Sequence, residues 1–140
     1  MDAQLLVPHR APLCFVDRLI EFSEGSGVVE AIIAEKNPLV DEKGNADPVI
    51  AVELMAQAYA AIKGYHDMRS GNPVKKGFLA SVRDFVVAAP ICAGDRLSVT
   101  VKTVTTIGAF AVADAFVSRE GSTIASANLK LWIPDDAPKS

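Results

Sequence analysis

The run Asp47–Asp67, DPVIAVELMAQAYAAIKGYHD, decides how this chain folds. Asp47 is a good N-cap and Pro48 suits the first helical position, where its missing N–H costs nothing. From Val49 to about His66 strong helix formers dominate, and Gly64 is expected to loosen the far end. Val49, Ile50, Val52, Leu54, Met55, Ala56 and then Ala58 to Ala61 make the run apolar nearly all round, the pattern of a buried helix. Glu53 and Gln57 interrupt it, and their i,i+4 spacing places both on one face.

On either side of the helix the chain reads as strand. Leu13 to Phe22 and Gly27 to Glu35 are expected to pair as a hairpin across Ser23–Ser26, and Asn37 to Asp47 reads as a loop leading into the helix. Phe78 to Val87 is β-branched and aromatic, with Pro90 and Gly94-Asp95 supplying the following turn. Leu97, Val99 and Val101 alternate with polar residues, Phe110 to Val117 follows, and Ala127, Leu129, Leu131 and Ile133 alternate again. Strands joined by short turns pair antiparallel. The expected class is therefore α+β, a curved antiparallel sheet wrapped around one long central helix. Residues 1–134 form one domain in this reading, and 135–140 a short tail. Unpaired sheet edges call for a second copy, so a homodimer or a higher multiple is expected.

Composition removes several function classes. A length of 140 residues suits one domain, and 50% apolar with 22% charged residues excludes disorder. The net charge of −3 comes without a basic stripe, which argues against nucleic acid. The first residues lack the pattern of a signal peptide, and no apolar stretch reaches the roughly 18 residues that span a bilayer. A cytoplasmic location without membrane contact is the expectation. Cys14 and Cys92 lack metal-ligand spacing and read as reduced thiols. No metal cluster, glycine-rich phosphate loop or Ser–His–Asp set is visible.

Three segments together resemble the 3-hydroxyacyl-acyl-carrier-protein dehydratases of fatty-acid synthesis. They are Val7–Ile20 (VPHRAPLCFVDRLI), Val52–Gln57 (VELMAQ) and Gly77–Leu97 (GFLASVRDFVVAAPICAGDRL). With Lys75 to Leu79 and Ala127-Asn128-Leu129, the chain is most similar to the small dehydratases of the aryl-polyene type. The resemblance implies a hotdog fold, dimers with composite active sites, and a thioester substrate carried on the phosphopantetheine of acyl carrier protein or on CoA. It implies no further cofactor. It also carries a departure: the family's catalytic histidine precedes the helix, whereas Lys36 to Pro48 contains none, and Pro48 stands where a glycine N–H would bind the thioester oxygen.

Dehydration of a 3-hydroxyacyl thioester needs a base beside the carbonyl, an acid at the departing hydroxyl, and N–H donors for the enolate-like oxygen. Glu53 is the leading catalytic candidate, because a carboxylate on a buried helix is costly unless paired or kept for chemistry. Gln57 reads as its orienting partner. With Pro48 silent, Val49 and Ile50 are the nearest amide donors. Of the two histidines, His66 reads as a helix-end interaction, and His9 is either a loop-fixing residue or the imidazole that the chemistry needs. Arg10 and Arg18 either reach a pantetheine phosphate or pair with acids such as Asp17, and Arg83 reads as structural. An acyl thioesterase and a catalytically silent acyl-binding subunit are the competing functions.

Overall fold

The protein is described here by a computed structural model covering residues 1–3, 14–73, 75 and 77–134. The segment with His9 and Arg10 and the tail 135–140 lie outside the described residues. Among the described residues, six strands form one antiparallel sheet: β1 (Arg18–Ser23), β2 (Ser26–Ile32), β3 (Phe78–Val87), β4 (Arg96–Ile107), β5 (Phe110–Arg119) and β6 (Ser122–Trp132). Their spatial order is β1-β2-β4-β5-β6-β3, and the single helix α1 (Ile50–Arg69) packs across the middle of the sheet. The α+β arrangement expected from the sequence is the one found.

The alternation read in the sequence becomes the core. Leu97, Val99 and Val101 of β4 face inward, as do Ala113, Ala115 and Val117 of β5 and Leu129 and Leu131 of β6. They meet Ile50, Leu54, Met55, Ala58 and Ala61 of α1 in one cluster. Alanines at the centre of β5 keep that face shallow. Where α1 crosses β2 the fit is tighter still. A Cβ on Gly27 would lie 2.8 Å from both the Glu21 carbonyl oxygen and Ile62 Cγ1, so a larger residue would push helix and sheet apart.

Several boundaries differ from the sequence reading, each for a local reason. The first strand starts at Arg18 rather than Leu13, because the Phe15 N–H is taken by the Gln57 side chain instead of a ladder partner. The second ends at Ile32; the Ile33 N–H still bonds to the Asp95 carbonyl, one step further along the same register with β4, before the chain leaves the sheet. At the helix start, the Val49 N–H donates to Asp47 Oδ1 (3.0 Å) and the Ile50 N–H to the Asp47 carbonyl (2.9 Å). The N-cap is therefore Val49, not Asp47; Asp47 closes the tight turn that holds Pro48 and leads into α1. The helix also runs through Gly64, which is buried, and ends three residues beyond His66. Asp67 holds that last turn: its carboxylate pairs with Lys63 and accepts the Lys75 N–H.

The strand β3 is the exception to the covered sheet. It pairs with β6 on one side and forms an edge on the other, and most of its residues are exposed on both faces. Phe78, Leu79, Phe85 and Val86 are each more than a third exposed. A bulge between Arg83 and Val86 places Asp84 at φ 53°, a strained conformation for a residue other than glycine. Among the described residues, no helix is long and apolar enough to cross a membrane.

Candidate active site

Glu53 sits in the first turn of α1, half-buried, on the face predicted by its spacing from Gln57. Gln57 is fully buried. Its Nε2 donates to Glu53 Oε1 at 3.2 Å, while its Oε1 accepts the Phe15 N–H at 2.7 Å. One side chain therefore ties the carboxylate to the strand-leading segment Cys14–Asp17. The reason is a polar balance: a buried amide must use its donor and its acceptor, and a carboxylate and a backbone N–H satisfy one of each. Among the described residues, Gln57 is the hydrogen-bond donor to the Glu53 carboxylate, and no cation approaches it.

The two amides expected to receive a thioester oxygen are already committed. The Val49 N–H goes to the Asp47 carboxylate and the Ile50 N–H to the Asp47 carbonyl. The next three, Ala51, Val52 and Glu53, are also bonded within the turn. Both amides are thus hydrogen-bonded in this structure rather than open. Pro48 lies inside this turn, and the Asp47 carboxylate closes it on the Val49 N–H. The two bonds are not equivalent. A side-chain acceptor can rotate away from Val49, whereas releasing the Ile50 N–H would unwind the turn.

His66 lies at the opposite end of the helix from Glu53, about 20 Å away at 1.5 Å per residue. Its Nε2 is 3.3 Å from Glu24 Oε2 in the β1–β2 turn, so its ring reaches across to the hairpin rather than capping helix carbonyls. Arg18 pairs with Glu30 at 3.6 Å, not with Asp17, whose carboxylate instead accepts the Ile32 N–H. Arg83 is exposed on the β3 edge. Neither Cys14 nor Cys92 is in a disulfide, and among the described residues no group of acids, histidines and cysteines could hold a metal.

The sequence reading missed one cluster. Tyr59, Lys63, His66 and Asp67 gather on the second half of α1, and Asp67 is only 3% exposed. Burial, and then the Asp67 charge, push the Tyr59 hydroxyl up to about 12, so it stays protonated across the physiological range. The i,i+4 spacing of Lys63 and Asp67 was the available signal, but an i,i+4 ion pair is usually a solvated one.

Comparison with known proteins places this geometry. All 140 residues match a family described as ApeP-like, ApeP dehydratase. The chain is 32% identical over 133 residues to the 3-hydroxyacyl-acyl-carrier-protein dehydratase FabZ of Streptococcus sanguinis, with 91% of each chain covered. The enzyme of the same name from Streptococcus agalactiae serotype V is 29% identical over 128 residues, again with 91% of each covered. Among solved structures, the dehydratase heterocomplex ApeI:P from Xenorhabdus doucetiae superposes with a TM-score of 0.89 at 18% identity, covering 97% of this chain and 93% of that one. A hypothetical thioesterase with coenzyme A from Streptococcus pneumoniae shares the fold at a TM-score of 0.65 and 15% identity, covering 84% of each chain.

Proposed function

Because this chain belongs to the ApeP-like family of hotdog dehydratases, acting on 3-hydroxyacyl thioesters of acyl carrier protein, we propose that Glu53 and His9 are its two proton-transfer groups. The observation that carries the reading is the Glu53–Gln57–Phe15 link. It fixes a half-buried carboxylate through a neutral amide, with no cation beside it among the described residues. It also anchors the chain at Phe15, six residues after His9.

In this reading the His9 imidazole removes the proton next to the thioester carbonyl. The Glu53 carboxyl delivers a proton to the departing hydroxyl, the C–O bond breaks, and water leaves behind a trans-2-enoyl thioester. The oxyanion takes a hydrogen bond from the Val49 N–H once the Asp47 carboxylate rotates away; Ile50 serves less well. Arg10 meets the phosphate of the pantetheine arm, and the substrate brings its own carrier, so no further cofactor is required. The cytoplasm is the compartment that this chemistry suits.

The exposed β3 edge supports a second subunit. Phe78, Leu79, Phe85 and Val86 are exposed there, and edge-to-edge pairing would bury them. We take the partner to be a second copy of this chain. The heterocomplex among its structural neighbours makes a different hotdog chain the alternative occupant.

The test uses purified protein with 3-hydroxyacyl- and 2-enoyl-acyl-carrier thioesters. Interconversion of the two supports the assignment, while release of carrier thiol would make the protein a thioesterase. Mixing Glu53→Gln with His9→Ala protein then reads the site's composition. A pair formed across the interface of a symmetric dimer regains about a quarter of the activity, and a pair within one subunit regains none.

A further inference from the structure

Tyr59 is a buried phenol without a partner. The residue is only 6% exposed, and its hydroxyl makes no hydrogen bond among the described residues. Burial, and then the Asp67 charge, keep that hydroxyl protonated, so it remains a donor. Buried polar groups are ordinarily hydrogen-bonded, which raises the question of what this one meets. Tyr59 lines a cavity of about 470 Å³ beside the second half of α1, together with Ile62, Lys63 and His66. The volume falls within the range of small-molecule sites, about 300–1,000 Å³. At 100° per residue these four helix residues centre roughly 130° around the axis from Glu53, and they begin about 9 Å further along it. The cavity is therefore not the Glu53 site seen from another side.

The rest of the wall restricts what can enter. Ile62, Ala109, Phe110, Ala111 and Ile133 make its body apolar. Its charged residues are already engaged. Lys63 pairs with Asp67, His66 faces Glu24, and Lys75 has partners of its own, Asp67 among them. A charged ligand would have to compete with these pairs, and a buried charge that fails to find a partner is costly. We propose that the cavity is a second ligand site, separate from the catalytic one, for a neutral and mainly apolar molecule whose carbonyl oxygen accepts the Tyr59 hydroxyl. A carbonyl meets that donor without bringing a donor of its own for the apolar wall to strand.

The experiment titrates the full-length protein with acetophenone, ethylbenzene and sodium benzoate, following backbone amide shifts by NMR. The three probes are similar in size and present a carbonyl, no polar group and a charge. Acetophenone is expected to bind saturably, moving Ile62, Gly108 and Ala111, with benzoate at least about tenfold weaker, a factor worth about 1.4 kcal/mol. Tyr59→Phe keeps the ring and removes the donor. It should weaken acetophenone about threefold or more, the scale of one hydrogen bond, and leave ethylbenzene unchanged. Thr106 pairs across the hairpin with Ala111, which belongs to the core, and is itself exposed on a strand where tryptophan is tolerated. Thr106→Trp should therefore fold and block the cavity, weakening acetophenone at least about tenfold. Glu53→Gln should bind acetophenone as wild type does. Linear shifts up to the solubility limit of acetophenone, or equal binding by Thr106→Trp, would overturn the site. Unchanged acetophenone affinity in Tyr59→Phe would overturn the role of the hydroxyl, and benzoate binding as tightly as acetophenone would overturn the preference for a neutral ligand. Loss of binding in Glu53→Gln would overturn its independence.

Discussion

The two ends of α1 each carry a polar pair spaced i,i+4, and the fold surrounds the two pairs differently. At the C-terminal end the Asp67 carboxylate is buried but answered by the Lys63 ammonium and the Lys75 N–H. At the N-terminal end Glu53 is met by the neutral amide of Gln57, and the amide, not the acid, is the fully buried member. A compensated carboxylate is a fastening. A carboxylate met by no cation among the described residues is the one we propose for proton transfer. Sequence spacing is the same in both cases, so the difference lies in what the rest of the fold brings alongside.

Substitutions can break this contrast. Glu53→Gln keeps the shape and the contact to Gln57, and should lower dehydration by at least about 10²-fold, the scale of general acid–base catalysis, with an unchanged melting temperature. Wild-type turnover in that variant would make Glu53 structural too. Asp67→Asn should do the reverse. It strands the Lys63 ammonium and should cost about 2–4 kcal/mol in urea unfolding, with activity per folded molecule preserved.

Gln57→Leu sharpens the comparison, because it removes the link without touching the acid. The Phe15 N–H loses its acceptor, for about 1–3 kcal/mol in chemical denaturation, and kcat should fall more than KM rises as Glu53 loses its orientation. The smallest effect concerns alkaline pH. The Tyr59 hydroxyl titrates near 12 in the folded chain against 10 when unfolded. The unfolded state therefore releases this proton first, and the stability it contributes is intact below pH 10 and lost as pH rises toward 12. A pH series of melting curves should show Tyr59→Phe with a shallower alkaline decline than wild type.

Much of the architecture was legible beforehand. The period-2 runs at Leu97–Val101 and Ala127–Leu131 became the inner faces of β4 and β6, and the apolar run after Pro48 became the central helix. The first strand's boundary shifted where a backbone N–H found a distant side-chain acceptor, as Phe15 did in Gln57. No local pattern signals such a bond, since its partners are separated by dozens of residues. The i,i+4 match of Glu53 and Gln57 was readable, but the third member, the Phe15 N–H, was not.

By itself, then, the sequence determined the class of fold, the covered face of each strand and the acid on the helix, because these follow from period, propensity and the cost of burying charge. Tertiary structure decided the rest. Only packing could reveal that Asp47 closes the turn before the helix, that β3 is an uncovered edge, that His66 reaches the hairpin, and that a cavity opens beside Tyr59 and Lys63. These are relations between residues far apart in the chain, and they exist only once the sheet has wrapped the helix and set which side chains meet.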